Sequence, residues 1–150
     1  VKNIYRGMGT REQAKKRVFA WLYNPNSEDK LTNRYYDRGL VKDRFFSDGK
    51  VTTIFNREIT SDDYHAFNYI IQSTTSDLFM KQVMKVHDFL KDKKSFIAFL
   101  IHDSLVIDFD KSELDHINRI RQIFPQTIFG DFRSSLRIGK NYGDMKEWKL

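Results

Sequence analysis

A short polar segment between two apolar runs has residue types that suit chemistry. His102, Asp103 and Ser104 separate the apolar run 96–101 from the apolar run 105–109. Such runs, rich in Ile, Val and Phe, predict buried strands, and the short link predicts a hairpin with His102 and Asp103 at its tip. A carboxylate fixed there suits metal coordination or general-base catalysis. The alternative is an ordinary turn, because turns favour Asp and Ser without any functional role.

Four residues spaced four apart form a second candidate group, which we call the ladder: Arg11, Lys15, Phe19 and Tyr23. A helix over 11–23 is predicted, capped by Thr10 and ended by Asn24-Pro25. Each step of four advances about 40° around a helix, so the ladder occupies one face. The two cations could bind an anionic tail, and the two aromatic rings could bind a flat ring or a sugar. A nucleoside triphosphate has these groups in the same order. The alternative is an amphipathic helix that packs Phe19 and Tyr23 inward.

Two amides form the third group. Asn68 and Gln72 lie four residues apart in a long helix predicted over 60–93, with Thr60 as its cap and Asp63 completing a capping box. Both amides therefore point the same way and can contact base edges or sugars. Exposed Asn and Gln side chains without any function are equally ordinary on helices.

The elements that must position these groups follow a mixed order. The other predicted elements are interrupted helices over 26–48 with breaks at Gly39 and at Ser47-Asp48-Gly49, a strand or short hairpin over 50–59 around Asn56-Arg57, a helix over 111–124 begun by Ser112, and a strand over 132–138. Antiparallel elements and helices without regular βαβ alternation predict the α+β class.

Composition narrows the function classes. The chain has 150 residues and no cysteine, which excludes disulfides, thiolate zinc sites and thiol nucleophiles and fits a cytoplasmic setting. It has neither an apolar run long enough to cross a membrane nor a signal-peptide pattern, so we expect no membrane association. Residues 1–50 hold twelve Lys and Arg against six Asp and Glu, whereas the rest is balanced. This basic third is either an electrostatic footprint for phosphates or a solvated surface.

Taken in order, these motifs resemble those of family A DNA polymerases, the DNA polymerase I-like enzymes. The ladder, RxxxKxxxFxxxY, resembles motif B on the fingers O helix, NxxxQ at 68–72 resembles the NAPMQG segment, and HDS at 102–104 resembles motif C, usually HDE. TIFNREI at 53–59 is similar to the TLxGRRR hairpin, and GKNYGDMKEW at 139–148 is similar to the C-terminal ending. The resemblance covers essentially the whole chain.

The resemblance implies a role for each rung of the ladder. Arg11 and Lys15 would hold the incoming triphosphate, and Lys15 would have a catalytic role in neutralising or protonating the leaving pyrophosphate. Phe19 would lie against the sugar of the incoming nucleotide. Tyr23 would lie near the templating position and move as the fingers close.

The resemblance also implies contacts with primer–template DNA and with metal. Asn68 and Gln72 would contact the minor groove, and Arg57 would bind DNA from its hairpin. His102 would lie beside the primer terminus as part of the catalytic site. Asp103 would be one of two carboxylates that hold two Mg²⁺ ions.

The implied architecture is part of a polymerase right hand. Residues 1–59 would form a fingers portion, with the O helix over 11–23, the following helices and the hairpin 50–59. Residues 60–150 would form part of the antiparallel palm, with the long helix, the motif C hairpin over 96–109 and a C-terminal helix and strand.

Nothing before Arg11 matches motif A, DxSxxE, which supplies the other catalytic Asp. We therefore expect the C-terminal portion of a phage-type or split polymerase, located in the bacterial cytoplasm if phage-encoded. It would use dNTPs and need a second polypeptide or N-terminal segment with motif A, the rest of the palm and the thumb.

Several positions depart from the family pattern. Ser104 stands where Glu is usual, Asn24 follows the ladder where Gly is usual, Tyr64 replaces a frequent Arg, and Asn56 replaces the hairpin Gly. Pro25 stiffens the end of the ladder helix. Two alternatives stay open beside the polymerase interpretation. One is a catalytically inert nucleic-acid-binding module with the same fold. The other is a metal-dependent phosphohydrolase built on His102 and Asp103, although the remaining histidines lack ligand spacing.

Overall fold

A computed structural model describes residues 7–148 as a mixed α+β chain, which confirms the predicted class. The chain divides into two compact units, of which the first ends at Leu78 and the second begins at Phe79. The predicted division at residue 59 concerns fingers and palm roles and stays a prediction. The compact units instead divide within the long helix.

The first unit begins with the helix that carries the ladder, α1 (Arg11–Tyr23), with the predicted bounds. The backbone N–H of Gln13 donates to Thr10 Oγ1 at 3.3 Å, and the N–H of Thr10 donates to Gln13 Oε1 at 2.9 Å. This reciprocal pair satisfies two donors at the helix start, as a capping box does. Asn24 caps the C-terminal end.

Two short helices and a small sheet follow: α2 (Lys30–Tyr35), α3 (Arg38–Phe45), β1 (Phe46–Ser47), β2 (Lys50–Thr52) and β3 (Glu58–Thr60). The three strands are antiparallel in the order β1-β2-β3, which confirms the hairpin predicted over 50–59. The predicted break at Gly39 is wrong, because Asp37 accepts from the N–H of Leu40 at 2.9 Å and starts α3 before that glycine. The predicted break at Ser47-Asp48-Gly49 is confirmed, because α3 ends at Phe45, Ser47 pairs with Lys50, and Asp48 and Gly49 form the turn between β1 and β2.

The long helix is α4 (Asp63–Leu90), shorter at both ends than predicted. Thr60 is not its cap, since Thr60 is the last residue of β3 and pairs with Lys50. Asp62 takes that place, because its carboxylate accepts from the N–H of His65 at 2.8 Å.

The core of the first unit lies between this sheet and the start of α4. Val51 of β2 is fully buried with Ala66 and Ile70 of α4, which lie four residues apart on one helix face. Half-buried apolar side chains of α3 and the sheet pack around them. The start of α4, which carries the two amides, is therefore held against the sheet.

The second unit continues α4 from Phe79 and adds one helix and three strand pairs: β4 (Phe96–Ile101) with β5 (Ser104–Asp108), α5 (His116–Ile123), β6 (Gln126–Thr127) with β7 (Gly130–Asp131), and β8 (Arg137–Ile138) with β9 (Lys146–Glu147). Gln82 of α4 is buried and donates to the carbonyls of Phe124 and Gln126. This amide fixes α5 and the strand after it to α4.

Two predictions for the end of the chain are wrong in detail. The helix predicted over 111–124 is a single 3₁₀ turn followed by α5, and Asp110, which accepts from the N–H of Ser112 at 2.8 Å, is its cap instead of Ser112. The strand predicted over 132–138 is reduced to β8. Phe132 donates its N–H to the carbonyl of Pro125 at 3.0 Å and so closes the β6–β7 hairpin. In the described part of the chain, no helix is long and apolar enough to cross a membrane.

Candidate functional site

The ladder lies on the exposed face of α1. The helix packs through its opposite side, where Ala14 is fully buried and Trp21 is 2% exposed. Phe19 and Tyr23 are 44% and 54% exposed, and Arg11 and Lys15 are exposed as well. The amphipathic alternative, which packs the two rings inward, is therefore wrong. Two aromatic rings that stay in solvent on a packed helix are available to a ligand.

The ladder is also continuous as a set of contacts. The Lys15 ammonium lies 5.3 Å from the centroid of the Phe19 ring, within cation–π range. The Phe19 and Tyr23 rings meet edge to face with their centroids 6.4 Å apart. The cationic and aromatic ends of the ladder thus form one surface.

A hydrogen bond joins the ladder to the amide pair. Gln72 Nε2 on α4 donates to the hydroxyl oxygen of Tyr23 at 3.1 Å, between residues 49 positions apart in the chain. Asn68 lies one turn earlier on α4, and its Oδ1 is buried without a hydrogen-bond partner among the described residues. A buried acceptor without a partner carries a free-energy cost. The structure therefore places Tyr23, Gln72 and Asn68 in one region.

Arg57 is held by a partner that sequence reasoning missed. Its Nη1 lies 3.0 Å from Asp77 Oδ1 on α4. Asp77 also accepts from the hydroxyl of Thr53 at 3.3 Å, at the other end of the turn between β2 and β3. Asn56 adopts a φ of +62° in that turn, a conformation that Asn tolerates better than most residues. The turn therefore presents Arg57 beside α4 as one half of an ion pair.

The β4–β5 hairpin carries His102 and Asp103 at a two-residue tip. This confirms the predicted tip, since Ser104 pairs with Ile101 and belongs to β5. His102 has a φ of +51°, since two-residue hairpin turns need a positive φ at their first central position. For a residue other than glycine, this conformation costs about 1–3 kcal/mol. Strain of this kind at an exposed tip is compatible with a functional role and with a tight turn alone.

Asp103 is exposed and is the one carboxylate at this tip. Ser104 Oγ lies 3.5 Å from Asp103 Oδ1, at the limit of a hydrogen bond. Within residues 7–148, no three His, Cys, Asp or Glu side chains gather into a group able to hold a metal ion. Mg²⁺ prefers oxygen ligands and is commonly held by one or two carboxylates together with substrate phosphates. Asp103 fits that chemistry as a single ligand.

The strands that carry the tip are less buried than predicted. Phe96 and Phe99 are 56% and 41% exposed, and Leu100 is also exposed. The prediction of buried strands is therefore wrong within the described residues. The physical reason is that β4 and β5 pair only with each other there, so no further strands cover them. Tyr142 contacts one exposed ring, with its centroid 5.5 Å from that of Phe99.

A polar cluster fixes the base of the same hairpin. The Glu113 carboxylate accepts from the hydroxyl of Ser95 at 2.7 Å and from the N–H groups of Lys94 and Ser95 at 3.0 and 2.9 Å. The Ser95 hydroxyl oxygen in turn accepts from the N–H of Asp110 at 3.0 Å. The hydroxyl of Ser95, followed by the two backbone donors, lowers the pKa of Glu113. The residues before β4 and after β5 are thus joined, which holds the two strands together below the tip.

Arg38 supports the helix that carries the ladder, although no sequence motif indicated it. It donates to backbone carbonyls at the C-terminal end of α1 and packs on the Trp21 ring. The ladder, the amide pair and Arg57 belong to the first unit, whereas His102 and Asp103 belong to the second.

The first unit thus presents an exposed cationic and aromatic helix face joined to an amide pair. The second unit presents one carboxylate at the tip of a hairpin. Comparison of the chain with protein-family models, curated proteins and solved structures finds no match.

Proposed function

We propose that this chain is the C-terminal portion of a family A DNA-directed DNA polymerase. It performs templated nucleotidyl transfer from dNTPs together with a second segment or subunit that supplies the other catalytic Asp. The observation that carries the proposal is the exposed ladder and its hydrogen bond from Gln72 to Tyr23. Two motifs that the family resemblance links to nucleotide and DNA are here in direct contact.

In this proposal the first unit supplies the nucleotide-binding face of the fingers. Arg11 and Lys15 neutralise the triphosphate, since charge accumulates on the leaving pyrophosphate during phosphoryl transfer. Phe19 presents a rigid ring to the sugar, and its contact with Lys15 keeps the ring beside the cation. Tyr23 lies at the templating end of the same face.

DNA binding follows from the amides and the basic first third of the chain. Asn68 lies one turn before Gln72 on α4, and minor-groove edges of guanine offer an N–H donor to an amide oxygen. Arg57 adds a cation whose present partner, Asp77, competes with a phosphate for it. The excess of Lys and Arg in residues 1–50 favours association with a polyanion.

The second unit supplies part of the palm. Asp103 stands at an exposed tip where a carboxylate can bind a metal ion that another carboxylate shares, and His102 stands beside it for the primer terminus. When bound, two Mg²⁺ ions would activate the primer hydroxyl and stabilise the leaving group as Lewis acids. This chain contributes one ligand and holds it on a hairpin fixed at its base by Ser95 and Glu113.

One observation favours the inert nucleic-acid-binding module instead. A single carboxylate stands at the hairpin tip, with a serine beside it. A chain that had lost catalysis would keep the ladder and the amides as a nucleic-acid surface. The two functions differ in one outcome, which is primer extension by the assembled complex.

Nucleotide binding by the ladder can be measured on the chain itself. We expect an azido-dATP photoprobe to label the purified chain on α1, with labelling that dATP suppresses. Arg11→Ala and Lys15→Ala should each reduce labelling several-fold, because each removes a cation that faces the triphosphate. In the assembled enzyme the same variants should raise KM for dNTP or lower kcat with little change in primer–template affinity.

Lys16→Ala is the matched control, since Lys16 is an exposed lysine on the same helix that lies about 100° around the helix from Lys15. Equal loss of labelling in Lys16→Ala and Lys15→Ala would show that net charge alone is at work. That result would overturn the assignment of the ladder as a nucleotide site.

A further inference from the structure

Arg38, the first residue of α3, closes the C-terminal end of the ladder helix. Its guanidinium donates to the backbone carbonyls of Trp21, Asn24 and Pro25. The last carbonyls of a helix have no partner within the helix, and a cation beside them also interacts favourably with the helix dipole. A planar fork of several donors suits three carbonyls in a way that a lysine ammonium does not.

The same guanidinium joins α1 to α4 through aromatic rings. Its central carbon lies 4.2 Å from the centroid of the Trp21 ring and 5.6 Å from that of Phe67 on α4. The two rings meet edge to face with their centroids 5.3 Å apart. Burial lowers the pKa of Arg38, as expected for a cation partly withdrawn from water. One side chain of α3 therefore connects the end of α1 with the start of α4.

Tyr23 lies between the carbonyls that Arg38 holds. Trp21 and Asn24 flank it in the chain, and Gln72, which donates to its hydroxyl, follows Phe67 on α4. The Arg38 guanidinium thus fixes the backbone on both sides of Tyr23 and also contacts α4, the helix that carries Gln72. Arg11 and Lys15 lie at the other end of α1, at least two turns away.

We propose that Arg38 is a positioning residue, which holds Tyr23 against Gln72 and thereby sets nucleotide discrimination at the templating end of the site. The consequence for discrimination rests on the proposed polymerase function, whereas the positioning is a property of the folded chain. Loss of Arg38 disturbs the Tyr23 end of the ladder and spares the triphosphate end.

The positioning is tested by NMR on the full chain through the side-chain amide signals of Gln72. Tyr23→Phe removes the hydroxyl that accepts from this amide, so it should shift both amide proton signals. In Arg38→Gln the same Tyr23→Phe change should produce no shift, because the hydroxyl has already left the amide. Arg34→Gln is the control, since Arg34 is an exposed arginine on the neighbouring helix α2, and there the full shift should persist.

Arg38→Lys serves as a second variant in case Arg38→Gln does not fold. It keeps the charge and the aliphatic stem but cannot bridge three carbonyls, so the Tyr23→Phe shift should fall to less than half. A full shift in a folded Arg38→Gln or Arg38→Lys background would overturn the positioning claim.

The consequence for discrimination is measured in the assembled enzyme. We expect Arg38→Lys to change the ratio of kcat/KM for correct over mismatched nucleotides several-fold, with less than a twofold change in KM for the correct dNTP. A merely structural role lowers the amount of folded enzyme and leaves that ratio unchanged, which would overturn the proposal. Failure of the polymerase function itself appears separately, because the unmodified assembly would then not extend a primer. The NMR comparison still decides the positioning in that case.

Discussion

At the scale of single residues, the proposed chemistry depends on side chains that the fold leaves in solvent. Phe19 and Tyr23 are exposed because α1 uses Ala14 and Trp21 for packing. An exposed aromatic ring loses the free energy that its burial would provide, about 1.5–3 kcal/mol for a Phe side chain. Retaining two such rings beside two cations is consistent with selection for a ligand.

The ring at Phe19 gives a prediction about the sugar of the incoming nucleotide. Phe19→Tyr adds a hydroxyl where the family resemblance places the 3′ position, so dideoxynucleotides should be accepted more readily by the assembled enzyme. Competition between dTTP and ddTTP in primer extension measures this, and we expect discrimination to fall at least tenfold. Tyr23→Phe serves as a control of similar size at the neighbouring rung. Unchanged discrimination in Phe19→Tyr would show that the ladder is aligned wrongly with the family motif.

Spacing alone placed the four ladder residues on one helix face, but it did not decide whether that face was buried. That depends on Trp21, whose indole donates to Asn33 on α2 at 2.6 Å and meets Phe67 on α4. Such contacts between distant residues leave no periodic signal in the sequence. Arg38 and Asp77 were missed for the same reason, since each acts through partners far along the chain.

At the scale of elements, local capping chemistry was predictable where one residue offers the only cap. Thr10 caps α1 as predicted, and α1 has its predicted bounds. The start of α4 was predicted at the wrong residue because Thr60 and Asp62 can both cap a helix. Thr60 pairs with Lys50 in the sheet, so Asp62 is the cap. The short strands β6, β7 and β9 were missed because each spans two residues and has no alternation to detect.

The β4–β5 hairpin should respond to acid through the cluster at its base. Hydrogen bonds from Ser95 and the two backbone donors hold the pKa of Glu113 below its ordinary value. A depressed pKa means that the stabilisation is complete above the unfolded value and is lost as pH falls through the folded value. We therefore expect the urea concentration at the unfolding midpoint to decrease as the pH is lowered below about 4.3, the ordinary pKa of Glu. In Glu113→Gln this midpoint should decrease less steeply with falling pH.

The control for this pH dependence is Glu147→Gln, a change at an exposed glutamate of β9. It should leave the slope of the wild-type chain unchanged. Identical slopes in the wild-type chain and Glu113→Gln would contradict a role for Glu113 in fastening the hairpin.

At the scale of the whole molecule, the α+β class followed from element order, whereas the exposure of the hairpin strands did not. A run of Phe, Ile and Leu predicts a buried strand when only the sequence is considered. Burial depends on what else is present, and within the described residues β4 and β5 form a sheet of two strands. An isolated two-stranded hairpin is at best marginally stable, so exposed rings such as Phe96 and Phe99 suit a surface that another polypeptide covers.

The proposal therefore predicts that the purified chain alone does not extend a primer. Added to a polypeptide with motif A, the remaining palm strands and the thumb, it should form a stable complex with a large buried area and restore templated synthesis. Size-exclusion chromatography combined with extension assays on each fraction measures both. A monodisperse, monomeric chain of 150 residues that polymerises DNA by itself would contradict the split-enzyme account.

The central claim is that Asp103 is a metal-binding carboxylate of a nucleotidyl-transfer site, and primer extension by the assembled enzyme carrying Asp103→Asn tests it most directly. This change removes one charge at an exposed tip and keeps the size of the side chain, so the fold and the primer–template affinity should stay near those of the wild-type complex. Asp108→Asn, at an exposed carboxylate of the same hairpin, is the matched control and should keep its activity. The account predicts that Asp103→Asn reduces extension to less than about 1% of wild type, a loss of more than about 2.7 kcal/mol of transition-state stabilisation. Extension by Asp103→Asn comparable to that of Asp108→Asn would contradict it.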